Sequence, residues 1–202
     1  MRGALYSFVY NVGAGNFGIF MLQEQIVTEL TEAGAMFCAP VKVPGINFYP
    51  ELRPLCEMNN CGCFATNWGC PPGCGSVDTL SAKVRAYPLG LVYQYVGKLA
   101  DSFDVEGMME TNRVFNGITL AIKDYLSKNC SDFLVLGAGK CNICETCTYP
   151  DAPCRFPDLT NVSVEACGIN VSELCSQCGL DYIHGPNTVT NTGLILYHDT
   201  SL

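Results

Sequence analysis

The chain has 202 residues, 49% of them apolar and only 15% charged, enough to bury a core in one domain and too apolar to remain disordered. Its formal charge of −8, with no Lys/Arg cluster along the chain, excludes non-specific nucleic-acid binding, which needs cations against phosphate. Fourteen cysteines approach the density of a secreted disulfide scaffold, but such scaffolds are short and poor in core. The expectation is therefore a reducing cytoplasm and thiolates bound to metal.

The apolar stretch from Ala4 to Leu22 is broken by Asn11, Asn16 and glycines and has no clean cleavage site, so neither a signal peptide nor a membrane span is expected. It holds a strand-like Tyr6–Val12 followed by Gly13-Ala14-Gly15-Asn16-Phe17-Gly18, a formal G-x-G-x-x-G. Dinucleotide binding would need a second strand ending in an acid about 20 residues on. The chain instead reads Met36-Phe37-Cys38-Ala39-Pro40, so the motif is a glycine-rich turn.

Ile26, Val27 and Leu30 predict a helix over Gln23–Ala33, stopped at Gly34, and a strand follows over Met36–Val43. Then comes Cys56-x4-Cys61-x-Cys63-x6-Cys70-Pro71-Pro72-Gly73-Cys74, where prolines and glycines deny regular structure and suit a loop folded around a ligand. Cys56, Cys61 and Cys70 form its frame, and Cys74 and Cys63 compete for the fourth place. Cys74 is favoured because Pro71 and Pro72 make a stiff arm and Gly73 permits the turn back. Trp68 reads as an apolar cover over this site.

Residues 89–128 read as mainly helical, with Met109, Val114, Ile118, Leu120, Ile122, Tyr125 and Leu126 at core spacing. A short buried strand, Asp132–Leu136, leads through Gly137-Ala138-Gly139-Lys140 into Cys141-x2-Cys144-x2-Cys147, closed by Cys154. The glycine run is no P-loop, since Leu134 stands where glycine is required and Cys141 replaces Ser/Thr. Lys140 is expected beside an anionic cluster. Three thiolates at i, i+3 and i+6 with a more distant fourth is the spacing that holds an iron–sulfur cluster, whereas zinc more often takes two separated C-x2-C knuckles. Cys167 is a reserve ligand that could replace Cys154. Cys175 and Cys178 lie in a helix over Val171–Cys178 and are expected to pack or to face solvent, and Thr188–Tyr197 is a closing strand. With only two histidines, His184 and His198, no nucleophile–histidine array can be assembled.

Five motifs in order carry a resemblance: Cys56…Cys61…Trp68-Gly69-Cys70-Pro71-Pro72; Gly137 through Cys141-x2-Cys144-x2-Cys147; Pro153-Cys154-Arg155-x-Pro157; Glu165-Ala166-Cys167-Gly168-Ile169-Asn170-Val171; and Asn187-x-Val189-x-x-Thr192-Gly193-Leu194. Over about residues 21–200 the chain resembles the DUF2284 family of predicted metal-binding proteins. The resemblance implies metal binding through cysteines and brings no reaction with it. Residues 1–20 fall outside it as an extension, leaving 21–202 as the metal-binding domain.

The expected fold is α/β or α+β, one domain with a central sheet of short strands, flanking helices and two cysteine-rich loops. The leading functional expectation is a cytoplasmic protein holding two iron–sulfur clusters, of the 4Fe–4S type, that exchanges electrons with a redox partner protein. Its ligands would be Cys56, Cys61, Cys70 and Cys74 in the first loop and Cys141, Cys144, Cys147 and Cys154 in the second. An enzyme with an open iron at Cys56/Cys61/Cys70, and a structural zinc protein used for interaction, are the two alternatives.

Overall fold

A computed structural model describes residues 17–198. Tyr6–Val12 and the glycines at 13 and 15 lie outside the described residues. Four strands, β1 (Phe37–Lys42), β2 (Leu89–Lys98), β3 (Phe133–Leu136) and β4 (Thr188–Tyr197), form one antiparallel sheet in the order β1-β2-β4-β3. Among the described residues five α-helices accompany it, making a mixed α+β domain.

Helix α1 (Phe17–Ala33) and the long α4 (Val105–Asn129) cover one sheet face. Leu22, Ile26 and Leu30 at four-residue spacing meet Phe115, Ile118, Ile122 and Leu126 of α4 over Leu91, Tyr93, Ile195 and Tyr197. Gly34, at φ +106, ends α1: its N–H bonds to Thr31 and that of Ala35 to Leu30, satisfying the last carbonyls. α4 starts at Asp104, whose carboxylate accepts the N–H groups of Ala100 and Gly107, both at 2.9 Å. Helices α3 (Val77–Arg85) and α5 (Val171–Gln177) cover the other face through Leu80, Val84, Leu174 and Cys175 against Val92, Leu194 and Leu196. A five-residue helix, α2 (Arg53–Glu57), opens the first cysteine loop.

The helical reading of residues 89–128 needs correction at its start, where β2 occupies Leu89–Lys98. β2 is a central strand with helices over both faces, so Gly90 through Gln94 are all buried and no polar alternation marks it. A short apolar run of this kind cannot be told from a buried helix by period. Met109 and Leu120 also differ from expectation: they lie on the outer side of α4 at 68% and 36% exposure. Pro40 is tolerated inside β1 because β1 is an edge strand. β3 hands the chain to the second cysteine loop: Gly137 bonds to Val162 and Val164 (2.9 and 3.0 Å), clamping the segment that leaves the sheet to the one that returns.

Candidate metal centre

The first loop runs from α2 to α3, and Arg53 ties its ends. One guanidinium nitrogen donates to the carbonyl of Gly75 at 3.1 Å and to that of Ala166 at 2.9 Å. Within the loop Asn67, 4% exposed, accepts the Gly69 N–H at 3.0 Å and donates to Thr66, so a buried carboxamide replaces regular structure. Ala65 bonds to Pro71 (2.7 Å) and Cys74 to Cys70 (3.0 Å), folding the loop back on itself. Burial raises the pKa of Cys56, Cys63, Cys70 and Cys74, with Cys70 reaching about 11, and repulsion among neighbouring thiolates adds to it. Cys61 acts in this way on Cys56, Cys63 and Cys70, while Arg53 opposes the shift at Cys56 and Cys74.

The second loop rests on α4. Lys123, 6% exposed, donates from Nζ to the carbonyls of Leu159 and Thr160 at 3.1 and 2.9 Å. Burial pulls its pKa down to about 8, and the nearby Cys141 pushes it back up. Among the described residues no carboxylate is paired with this ammonium. Thr160 Oγ1 also lies 3.1 Å from the Cys154 thiol, so the residue that accepts from Lys123 also touches the far end of the loop. Further along α4, Asn116 accepts from the buried Asn161 at 3.3 Å and donates to Asn112 at 2.7 Å. Asn161 also donates to Ala138 at the mouth of the loop. Inside the loop Arg155 bonds to Thr146 (2.9 Å) and Thr148 to Pro153 (2.9 Å).

The two loops meet. A Cβ built on Gly69 would stand 2.7 Å from the Cys141 Cβ and would collide with the carbonyl oxygen of Asn161. One on Gly73 would reach the Tyr149 ring at 2.9 Å. Trp68 packs edge-on against Tyr149 with ring centres 5.0 Å apart, and its indole N–H donates to Ala152 at 3.1 Å. Trp68 thus bridges to the second loop. The charge of Lys140 lowers the pKa of Cys63, so this cation of the second loop acts on a thiol of the first.

All fourteen cysteines are free thiols. The structure gathers Cys56, Cys61, Cys63, Cys70 and Cys74 into one neighbourhood and sets Cys141 against it. Cys144, Cys147 and Cys154 are half-buried in the second loop. Among the described residues no three Cys, His, Asp or Glu side chains already stand in a group able to hold a metal ion. The donor chemistry nonetheless fits a soft, thiolate-bound metal, since sulfur dominates both loops and cations back them. Cys167 needs correction: it is 1% exposed, its pKa raised to about 12 by burial with Cys74 adding to the shift, so it belongs beside the first loop and not in the place of Cys154. Cys175 is fully buried and Cys178 half-buried, as packing residues should be. His184 stacks on Phe37, and His198 lies 3.4 Å from Asp132.

Sequence reasoning missed Lys123, Asn116 and Asn161. A signal for the first two was present: Asn112, Asn116, Thr119 and Lys123 recur at helical spacing, a polar stripe on a helix otherwise read as apolar.

A model of the family described as predicted metal-binding protein (DUF2284) matches residues 39–197. No curated protein and no solved structure matches the chain. Among the described residues no helix is long and apolar enough to cross a membrane.

Proposed function

The chain belongs to the DUF2284 family of predicted metal-binding proteins, and we propose that it is an iron–sulfur protein with one cluster in each cysteine loop, exchanging electrons with a partner protein in a reducing cytoplasm. The observation that carries this reading is Lys123. A buried ammonium with only two carbonyls for company is costly, and proteins keep buried charges by pairing them. Cys141 is the neighbour whose charge favours this ammonium, and ligation to a metal would hold it as the thiolate that pairs with Lys123. The C-x2-C-x2-C spacing behind it favours iron–sulfur over zinc.

When bound, a 4Fe–4S cluster supplies a one-electron couple. The chain's own residues do the rest. Cys56, Cys61, Cys70 and Cys74 supply the first set of thiolates, and Cys141, Cys144, Cys147 and Cys154 the second. Lys123 offsets the charge of the second set, and Arg53 does so at Cys56 and Cys74. Trp68 and Tyr149 shield the seam from water.

The test is iron, zinc and acid-labile sulfide per chain after anaerobic purification. Two four-iron clusters predict brown protein with about eight iron and about eight sulfide per chain. Colourless protein with stoichiometric zinc would overturn the reading in favour of a structural metal. A substrate-dependent change in the cluster spectrum would replace the electron carrier with an enzyme holding an open iron.

A further inference from the structure

The geometry points to a binding site for a small monocarboxylate with an apolar body, in the cavity between the last turn of α3 and the turn that follows β1. No residue that lines it belongs to either cysteine loop, so the site goes beyond the metal-binding reading and does not rest on it.

The cavity begins with the turn Val43–Gly45, where Pro44 has no N–H to lose and a fixed φ that suits a turn. Val43 and Ile46, 2% and 6% exposed, join the core that also holds Leu80 and Val84 of α3. Between Val43, Pro44, Ile46, Phe48 and Arg85 lies a hollow of about 270 Å³, open to solvent. Ligand pockets usually run from about 300 to 1,000 Å³, so this one admits a single ring with a short arm and no folded partner. Four of the five lining side chains are apolar, and the fifth is a cation.

Arg85 decides what the apolar floor would hold. Its guanidinium carbon sits 4.1 Å over the centre of the Phe48 ring. Stacking engages the face of the guanidinium and leaves its in-plane N–H donors for other partners. Ser81, one helical turn back, accepts from Nη1 at 3.2 Å and fixes the direction of the group. Among the described residues the other guanidinium donors have no partner, and no carboxylate forms an ion pair with Arg85. Glu173, which reaches the neighbouring Asn47 and Tyr49, has its two oxygens engaged by them at 2.6 and 2.7 Å. A carboxylate in the hollow would accept from the free edge of Arg85 in a charge-assisted pair while its body lies on Val43, Pro44 and Ile46. A cationic ligand would be repelled there, and a dicarboxylate would press a second charge onto the apolar floor. Arg85 is exposed, so salt should weaken the binding.

The experiment titrates hydrocinnamate into the full chain, followed by calorimetry and by methyl NMR of Val43 and Ile46. Saturable one-to-one binding is expected, with shifts at those methyls. Arg85→Met, which keeps an apolar stem at an exposed position, should weaken binding roughly tenfold or more without lowering the melting temperature. Arg85→Lys should fall between the two, because a point charge replaces a fork. Hydrocinnamamide, the same body without the charge, should bind the wild-type chain as weakly as the acid binds Arg85→Met. No saturable binding at about 10 mM would overturn the proposal, as would binding that leaves the Val43 and Ile46 methyls unmoved. Equal affinity for acid and amide would also overturn it, and that comparison needs no variant to fold.

Discussion

The two cysteine loops hold similar numbers of thiols in different electrostatic settings. The first is tied at its ends by Arg53, and burial raises the pKa of Cys56, Cys63, Cys70 and Cys74 against the pull of that guanidinium on Cys56 and Cys74. The second is backed by the buried Lys123, whose pKa burial lowers and the charge of Cys141 raises. Metal uptake in the first loop would therefore have to displace protons that burial holds, whereas a metal-bound thiolate at Cys141 would favour the charged form of Lys123. The two settings meet at Gly69, against Cys141.

The largest effect should come from destroying the seam. Gly69→Ala forces a methyl into the Asn161 backbone and the Cys141 side chain, and overpacking against atoms that cannot retreat costs typically about 1–3 kcal/mol, here at the upper end. Both loops should lose metal, read as iron per chain and as a fall in melting temperature. Loss confined to one loop would mean that the two are mechanically independent.

Next, Cys144→Ser should remove roughly half the iron, since the middle thiolate of a three-point wrap has no spare neighbour. Cys178→Ser should leave the metal content alone, because that thiol packs at the end of α5. Equal losses from the two variants would show that the ligands have been mis-sorted.

The contrast between the loops was only partly legible in the sequence. Their existence was, because thiol spacing is a local signal and Pro71, Pro72 and the glycines mark a loop without help from the fold. The scaffold was legible wherever one face alone is buried: Ile26 and Leu30 on α1, with Gly34 as its stop, follow from period and backbone chemistry. β2 was not, because burial on both faces erases the alternation that marks a strand. The placement of Cys167 beside Cys74, and of Gly69 against Cys141, depends on contacts between distant segments that no spacing rule encodes. Lys123 stood in plain view, yet its meaning depends on Leu159 and Thr160 folding over it.

Lys123→Met sharpens the comparison, because its effect should differ between the metal-free and loaded protein. The variant removes a buried charge but leaves the Leu159 and Thr160 carbonyls without their donor, a loss of about 1–3 kcal/mol that offsets much of the gain. Metal-free stability should therefore change by no more than about 1 kcal/mol, whereas metal retention against a chelator should fall roughly tenfold, the worth of about 1.4 kcal/mol of lost charge pairing. Equal destabilisation of both forms would reduce Lys123 to a structural tie.

The smallest effect is in the pH dependence of the metal-free chain, where the loops should pull in opposite directions. Lys123 has a folded pKa near 8 against an ordinary value of 10.5, so between those values the unfolded chain binds the extra proton and stability rises with pH. Cys167 is raised from 9.0 to about 12, so the folded chain holds the extra proton over that window. Its contribution is complete below pH 9 and is lost as pH climbs toward 12, at no more than about 1.4 kcal/mol per pH unit. Cys70, raised to about 11, adds to the loss over the lower part of the same window. Eight thiols, Cys38, Cys56, Cys63, Cys70, Cys74, Cys167, Cys175 and Cys178, are raised from 9.0, so in the metal-free chain their loss opposes the Lys123 gain from about pH 8 upward. In denaturant melts from about pH 7 to 11, Lys123→Met should steepen the alkaline fall and Cys167→Ala should soften it. If both variants instead moved the whole curve without changing its shape, the opposed charge settings of the two loops would be wrong, and the stability of the seam would rest on packing at Gly69 and Trp68 alone.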